Sequence, residues 1–180
     1  MIKYALAVDK SFPAQYNKII GRCVRYLRKQ NCTVRVNNRY QTEQLAIRDS
    51  GGKCEVFSAF SEDYGAITAG LDNRDEKYYE AIDFVKKYCP EYNSLVRGKQ
   101  AQLIVVARLM LGINLNEPVD FVVCHTKNGY GIGEMALLIK VAREYNIPVF
   151  DSGYYNEYES DDMEEQLKVF IKEQLKKRRV

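Results

Sequence analysis

Apolar residues are distributed along this chain in two alternating rhythms: short unbroken runs, and longer stretches with a three-to-four-residue beat. Tyr4 to Val8 is a short apolar run that predicts a buried strand. Ser11-Phe12-Pro13 follows as a helix-start signal, with proline near the first helical position. Tyr16, Ile19, Ile20, Cys23, Val24 and Leu27 then mark one face of an amphipathic helix. Thr33 to Val36 predicts a second strand, Gln41 to Asp49 a short helix closed by Gly51-Gly52, and Cys54 to Phe57 a third strand. Ser58 to Asp75 contains Gly65, Gly70 and several acids and reads as a long loop, and Glu76 to Tyr88 predicts a helix ended by Cys89-Pro90.

From Lys99 to Leu111 the chain is apolar nearly all round, the pattern of a buried helix, with Gly112 as its stop. Val119 to Cys124 predicts a strand interrupted only by Asp120, followed by a helix from about Ile132 to Tyr145 and a last strand over Ile147-Pro148-Val149-Phe150. Ser160 to Arg178 predicts a closing amphipathic helix through Met163, Leu167, Phe170, Ile171 and Leu175. Its acidic first turn and basic Lys176-Lys177-Arg178-Arg179 end suit the helix dipole. Strand and helix alternate, which predicts an α/β fold: a Rossmann-like parallel sheet flanked by helices and built from right-handed crossovers. No repeat or linker divides the 180 residues, so a single domain is expected.

Composition narrows the function classes. The 46% hydrophobic and 28% charged fractions are those of a folded globular chain. A net charge of +3 permits contact with phosphates but falls short of the concentrated basic charge of duplex-DNA binders. Five cysteines (Cys23, Cys32, Cys54, Cys89, Cys124) have no CxxC spacing and an odd count, which argues against a disulfide framework and a structural zinc site. Free thiols suit a reducing cytoplasm. The apolar run in Met1 to Asp9 is too short for a signal peptide, and no stretch approaches the ~20 residues of a membrane span. A cytoplasmic protein with no membrane partner is expected.

The candidate site is the turn Asn128-Gly129-Tyr130-Gly131-Ile132-Gly133-Glu134, which joins a buried strand to a helix. Ligands in open parallel sheets gather beyond the carboxyl ends of the strands, and glycines there let backbone amides approach an anion. The plainer reading is that the glycines only make the turn. Glu134 has two readings: a helix-dipole partner, or a group in the cleft that binds a ribose hydroxyl or acts as a base. Arg108, inside the apolar helix, is either half of an ion pair with Asp120 or Glu134, or a phosphate or ribose clamp. His125 is the only histidine, which argues against multi-histidine metal sites and histidine-dependent triads; with Thr126 it is a candidate pocket residue. Asp9 and Lys10, at the end of the first strand, are further candidates. Cys124 reads as a core residue, and Tyr154-Tyr155-Asn156-Glu157-Tyr158 either stacks on a base or covers the sheet. No metal or cofactor is expected.

Ala107-Arg108, Gly112, Pro118 to Thr126, Gly129 to Glu134 and Ile147-Pro148-Val149-Phe150 together resemble the DprA/SMF–LOG (SLOG) superfamily of Rossmann-like nucleotide-binding proteins. The likeness is greatest to single-domain DprA-like proteins carried by bacteriophages, which implies a phage protein acting in host cytoplasm. The resemblance covers residues 99–152 and implies a site made of the Gly-rich turn, the helix after it and Arg108. Val8-Asp9-Lys10 and Val36-Asn37-Asn38-Arg39 stand where relatives carry phosphate loops. Met135 stands where phosphoribohydrolases of the superfamily carry their glutamate; Glu134 is one residue short, about 100 degrees of helix rotation away. The leading expectation is therefore binding, by sensing or sequestering, of a nucleotide or nucleotide-derived small molecule, rather than turnover. The alternatives are an N-glycoside hydrolase of nucleoside monophosphates using Glu134 and Arg108, and a single-stranded DNA binder using Lys10, Arg39 and Lys127. A homo-oligomer is compatible with the tyrosine content.

Overall fold

The first strand, β1 (Lys3–Val8), is buried at five of its six positions because it lies inside the sheet. β2 (Thr33–Val36) pairs with it on one side and β5 (Phe121–His125) on the other. The structure is a computed structural model that describes residues 1–60, 67–68 and 76–177. Beyond β2 lie β3 (Cys54–Ser58) and β4 (Ile67–Thr68); beyond β5 lies β6 (Val149–Asp151). The order is β4-β3-β2-β1-β5-β6 and every pairing is parallel, so the chain has the Rossmann-like α/β architecture that its pattern predicts.

Among the described residues six α-helices cover the two faces: α1 (Asn17–Lys29), α2 (Gln41–Ser50), α3 (Glu76–Tyr88), α4 (Arg97–Leu111), α5 (Glu134–Glu144) and α6 (Ser160–Lys177). Strand side chains alternate between faces, so Tyr4, Leu6, Phe121 and Val123 pack with apolar residues of α1, α2 and α6. Ala5, Ala7, Val122 and Cys124 pack with α3, α4 and α5 on the other face. The all-round apolar character of α4 has a direct cause: it lies against β2 and β3 and is flanked by α3 and α5, leaving Leu103 to Leu111 buried on every side.

At the amino ends of the strands a buried cation closes the fold. Arg35 points from β2 toward α4 and is fully buried. Its Nε donates to Glu55 at 2.7 Å and its Nη1 to the Glu117 carbonyl at 2.6 Å. Its Nη2 donates to the Glu117 carboxylate, and these three bonds compensate the desolvation of Arg35; Lys3 bridges the same two carboxylates.

The structure moves several predicted boundaries. β5 runs on through His125, one residue past the apolar run. The helix expected from Ile132 begins at Glu134, because Gly133 takes φ +60 and ends the turn. The last strand starts at Val149 rather than Ile147, with only the Pro148 carbonyl joining the ladder, at 2.8 Å from Val122 N. Of the loop expected over Ser58–Asp75, Ser58 closes β3 and Ile67–Thr68 form the two-residue strand β4; residues 61–66 and 69–75, and Arg178, lie outside the described residues.

Candidate functional site

From β1 the chain proceeds to β2 on one side, and from β5 to β6 on the other, so a crevice opens where the carboxyl ends of β1 and β5 meet. Open α/β sheets bind ligands at this topological switch point. Three connections border it: residues 9–13 after β1, residues 37–40 after β2 and residues 126–133 after β5.

Asp9 ties two of these together. One carboxylate oxygen accepts from Ser11 N at 2.7 Å and from the Ser11 hydroxyl, and the other accepts from Lys127 N at 2.9 Å. Its role among the described contacts is to lock the turns. Lys10 is exposed beside it, and a cavity of about 200 Å³ lies between Asp9, Lys10, Phe12, Tyr40, Gln41 and Thr42.

The Gly-rich turn is compact. Gly129 N donates to Thr126 O at 3.3 Å and Tyr130 N to Lys127 O at 3.0 Å, with Asn128 and Gly129 both left-handed. Met135 N and Ala136 N then donate to Ile132 O and Gly133 O as α5 begins. Between these pairs, the N–H groups of Gly131, Ile132, Gly133 and Glu134 meet no protein acceptor among the described residues. Four consecutive donors without an acceptor among the described residues, at the positive end of a helix, are the arrangement that suits an anion.

Glu134 does not occupy that place. It reaches across the crevice to Arg39, Nη1 to Oε1 2.8 Å, linking residues 95 positions apart. Glu134 lies in the first turn of α5, where the helix dipole favours it, and its ion-pair partner is Arg39 rather than Arg108. Arg39 is held in turn by Glu43, whose Oε2 accepts from Arg39 N and Tyr40 N at 2.9 Å each. Glu43 is buried in the first turn of α2, and desolvation pushes its carboxyl up to about 7 against the pull of those backbone donors.

His125 and Thr126 stand at the end of β5, but both are buried and turned toward the segment after β6. Ser152 Oγ donates to Cys124 O at 3.2 Å and lies 3.0 Å from His125 Nδ1, so Nδ1 carries the proton that completes the pair. Burial holds the His125 ring below its ordinary pKa, against the attraction of Asp9 and Asp151. Asp151 accepts from Thr126 N at 2.9 Å, from Thr126 Oγ1 at 2.5 Å and from Gly153 N at 2.8 Å. Gly153 passes so close to the Thr126 carbonyl that a Cβ there would collide with it. This strap sets the Tyr154 ring directly on Gly129.

The structure thus brings Asp9, Lys127, the Gly-rich turn, Arg39 and Glu134 to one crevice, and takes Arg108 elsewhere. Arg108 lies in the last turn of α4, close to the point where Met110 O accepts from Val119 N at the amino end of β5. Gln102, beside Asn37 at the carboxyl end of β2, is six residues and about 9 Å of helix rise away from it. Cys124 is a core residue, its thiol pushed well up by burial and the nearby carboxylates of Asp151 and Asp9. Of the tyrosine-rich segment, Tyr154 covers Gly129, Tyr155 stacks on Phe150 at 6.0 Å and Tyr158 is exposed.

Sequence reasoning undervalued Arg39 and missed Glu43 and Asp151. Glu43 had a local signal, an acid in a helix's first turn, and Asp151-Ser152-Gly153 is a turn signal after a strand. The Arg39–Glu134 contact had none. Among the described residues no group of three or more His, Cys, Asp or Glu is placed to hold a metal ion, and no helix is long and apolar enough to cross a membrane. Comparison with protein-family models, curated proteins and solved structures finds no match to this chain.

Proposed function

We propose that this protein binds a nucleotide or nucleotide-derived small molecule through its phosphate, in the crevice between β1 and β5. The observation that carries the reading is the run of four amides from Gly131 to Glu134, without acceptors among the described residues, at the sheet's switch point. A phosphate there accepts hydrogen bonds from the backbone and gains from the dipole of α5. Glu134 turns its carboxylate to Arg39, and Lys10 and Lys127 add positive charge at the rim. The cavity beside Asp9 and Tyr40 is smaller than the ~300–1,000 Å³ of a drug-sized pocket. It accommodates a ring or a sugar, with the remainder of the ligand in the open crevice.

Binding rather than turnover is the reading because the two candidate catalytic residues belong to opposite ends of the fold: Glu134 opens α5 and Arg108 closes α4. Resemblance to the SLOG superfamily supports the ligand class, and a phage source in host cytoplasm belongs to the same proposal. Isothermal titration with AMP, ADP, ADP-ribose and a cyclic dinucleotide tests it. Saturable binding of at least one, weakened by Gly131→Asp, is expected. A folded protein that binds none of them overturns the reading. Release of free base from AMP would overturn the binding-only form of it.

A further inference from the structure

Arg39 and Glu134 come from two different connections, after β2 and at the start of α5, and their contact spans the mouth of the crevice. The pair is well formed at 2.8 Å, yet its side chains keep 43% and 31% of their accessible surface. Exposed pairs of this kind separate at little cost in free energy. The two ends are not equally free to move. Arg39 is fixed at its backbone by the buried Glu43 and has its guanidinium over the Tyr40 ring, 5.0 Å from the centroid. Glu134 is in the first turn of α5, directly beside the four amides without protein acceptors. The carboxylate that Arg39 holds thus belongs to the same turn as the amides on which the phosphate reading rests.

We propose that the Arg39–Glu134 ion pair is a displaceable closure of the crevice, in which Glu134 competes with the ligand's phosphate for Arg39. This inference rests on the phosphate-binding reading given above. On binding, Arg39 exchanges a carboxylate for a phosphate, two anions that a guanidinium fork accepts with the same geometry. The released Glu134 turns outward into solvent. Glu134 is then a selectivity element: it discriminates against weakly charged ligands that cannot outcompete a carboxylate, and raises the charge threshold for entry.

Pyrophosphate and AMP are the probes, titrated calorimetrically against the wild type, Glu134→Gln, Arg39→Ala and Arg39→Lys. Glu134→Gln is expected to bind about three- to tenfold more tightly, by removing both competitor and repulsion. Arg39→Ala is expected to bind about tenfold or more weakly, with Arg39→Lys between it and the wild type. In the wild type, the Arg39 Nε–Hε NMR signal shifts on adding pyrophosphate. Wild-type binding that is unchanged or weakened by Glu134→Gln overturns the closure and leaves the binding function standing. Absence of binding by all four folded proteins removes the phosphate site, and the closure with it.

Discussion

Asp151 holds the site together from behind. Its carboxylate accepts from a buried hydroxyl and two backbone amides, and those three donors fix the segment that carries Tyr154 over the Gly-rich turn. Replacing it with alanine leaves Thr126, which is fully buried, with two unpaired donors. The expected loss of stability is about 2–4 kcal/mol in urea unfolding. Asp151→Asn keeps one carbonyl oxygen for the amides, and the Thr126 hydroxyl reverses to accept from the new amide, so a loss of about 1 kcal/mol is expected. Equal losses in the two variants would show that charge, not donor pairing, is what the site requires.

At the scale of elements, the Gly-rich turn and the strap after β6 are one unit. Gly129 adopts φ +74, and a Cβ there would collide with the edge of the Tyr154 ring. Gly129→Ala therefore carries a left-handed-backbone cost of roughly 1–2 kcal/mol and a displaced ring. Adding Tyr154→Ala to Gly129→Ala is expected to recover the part due to the ring alone; thermal unfolding of the single and double variants measures it. Full additivity would mean that the ring does not constrain the turn. Much of the element pattern was legible beforehand, for a physical reason. Inner strands of a parallel sheet are buried on both faces and spell unbroken apolar runs, as Phe121 to Cys124 do. The two-residue β4 was not legible, since two residues carry no periodicity.

For the molecule as a whole, two buried groups pull the pH dependence of stability in opposite directions. Glu43 has its carboxyl raised to about 7 in the fold, so the folded state holds a proton that the unfolded chain releases above about 4.5. Its contribution is complete in acid and is lost as pH rises toward 7. His125 is lowered, so the unfolded chain takes up a proton first, and stability is lost as pH falls below about 6.5. Glu43→Gln is expected to remove the decline between pH 5 and 7 and leave only the acid-side loss from His125 and the other groups. Urea unfolding across that range checks it, and an unchanged slope in Glu43→Gln would exclude Glu43 as its source.

The pattern of apolar and polar positions by itself determined the Rossmann-like α/β class, the run of strands and helices, the burial of α4 and the position of a Gly-rich turn after β5. Each of these follows from local periodicity or from a glycine that the turn requires. Tertiary structure alone decided which groups meet at that turn. Arg39 and Glu134 are 95 residues apart, Asp151 closes on Thr126 from the neighbouring strand, and Arg108 is carried by α4 to the opposite end of the sheet. Pairings of that kind depend on strand order and helix direction, which no local stretch of residues encodes, and they set the Gly-rich turn in a crevice spanned by an ion pair.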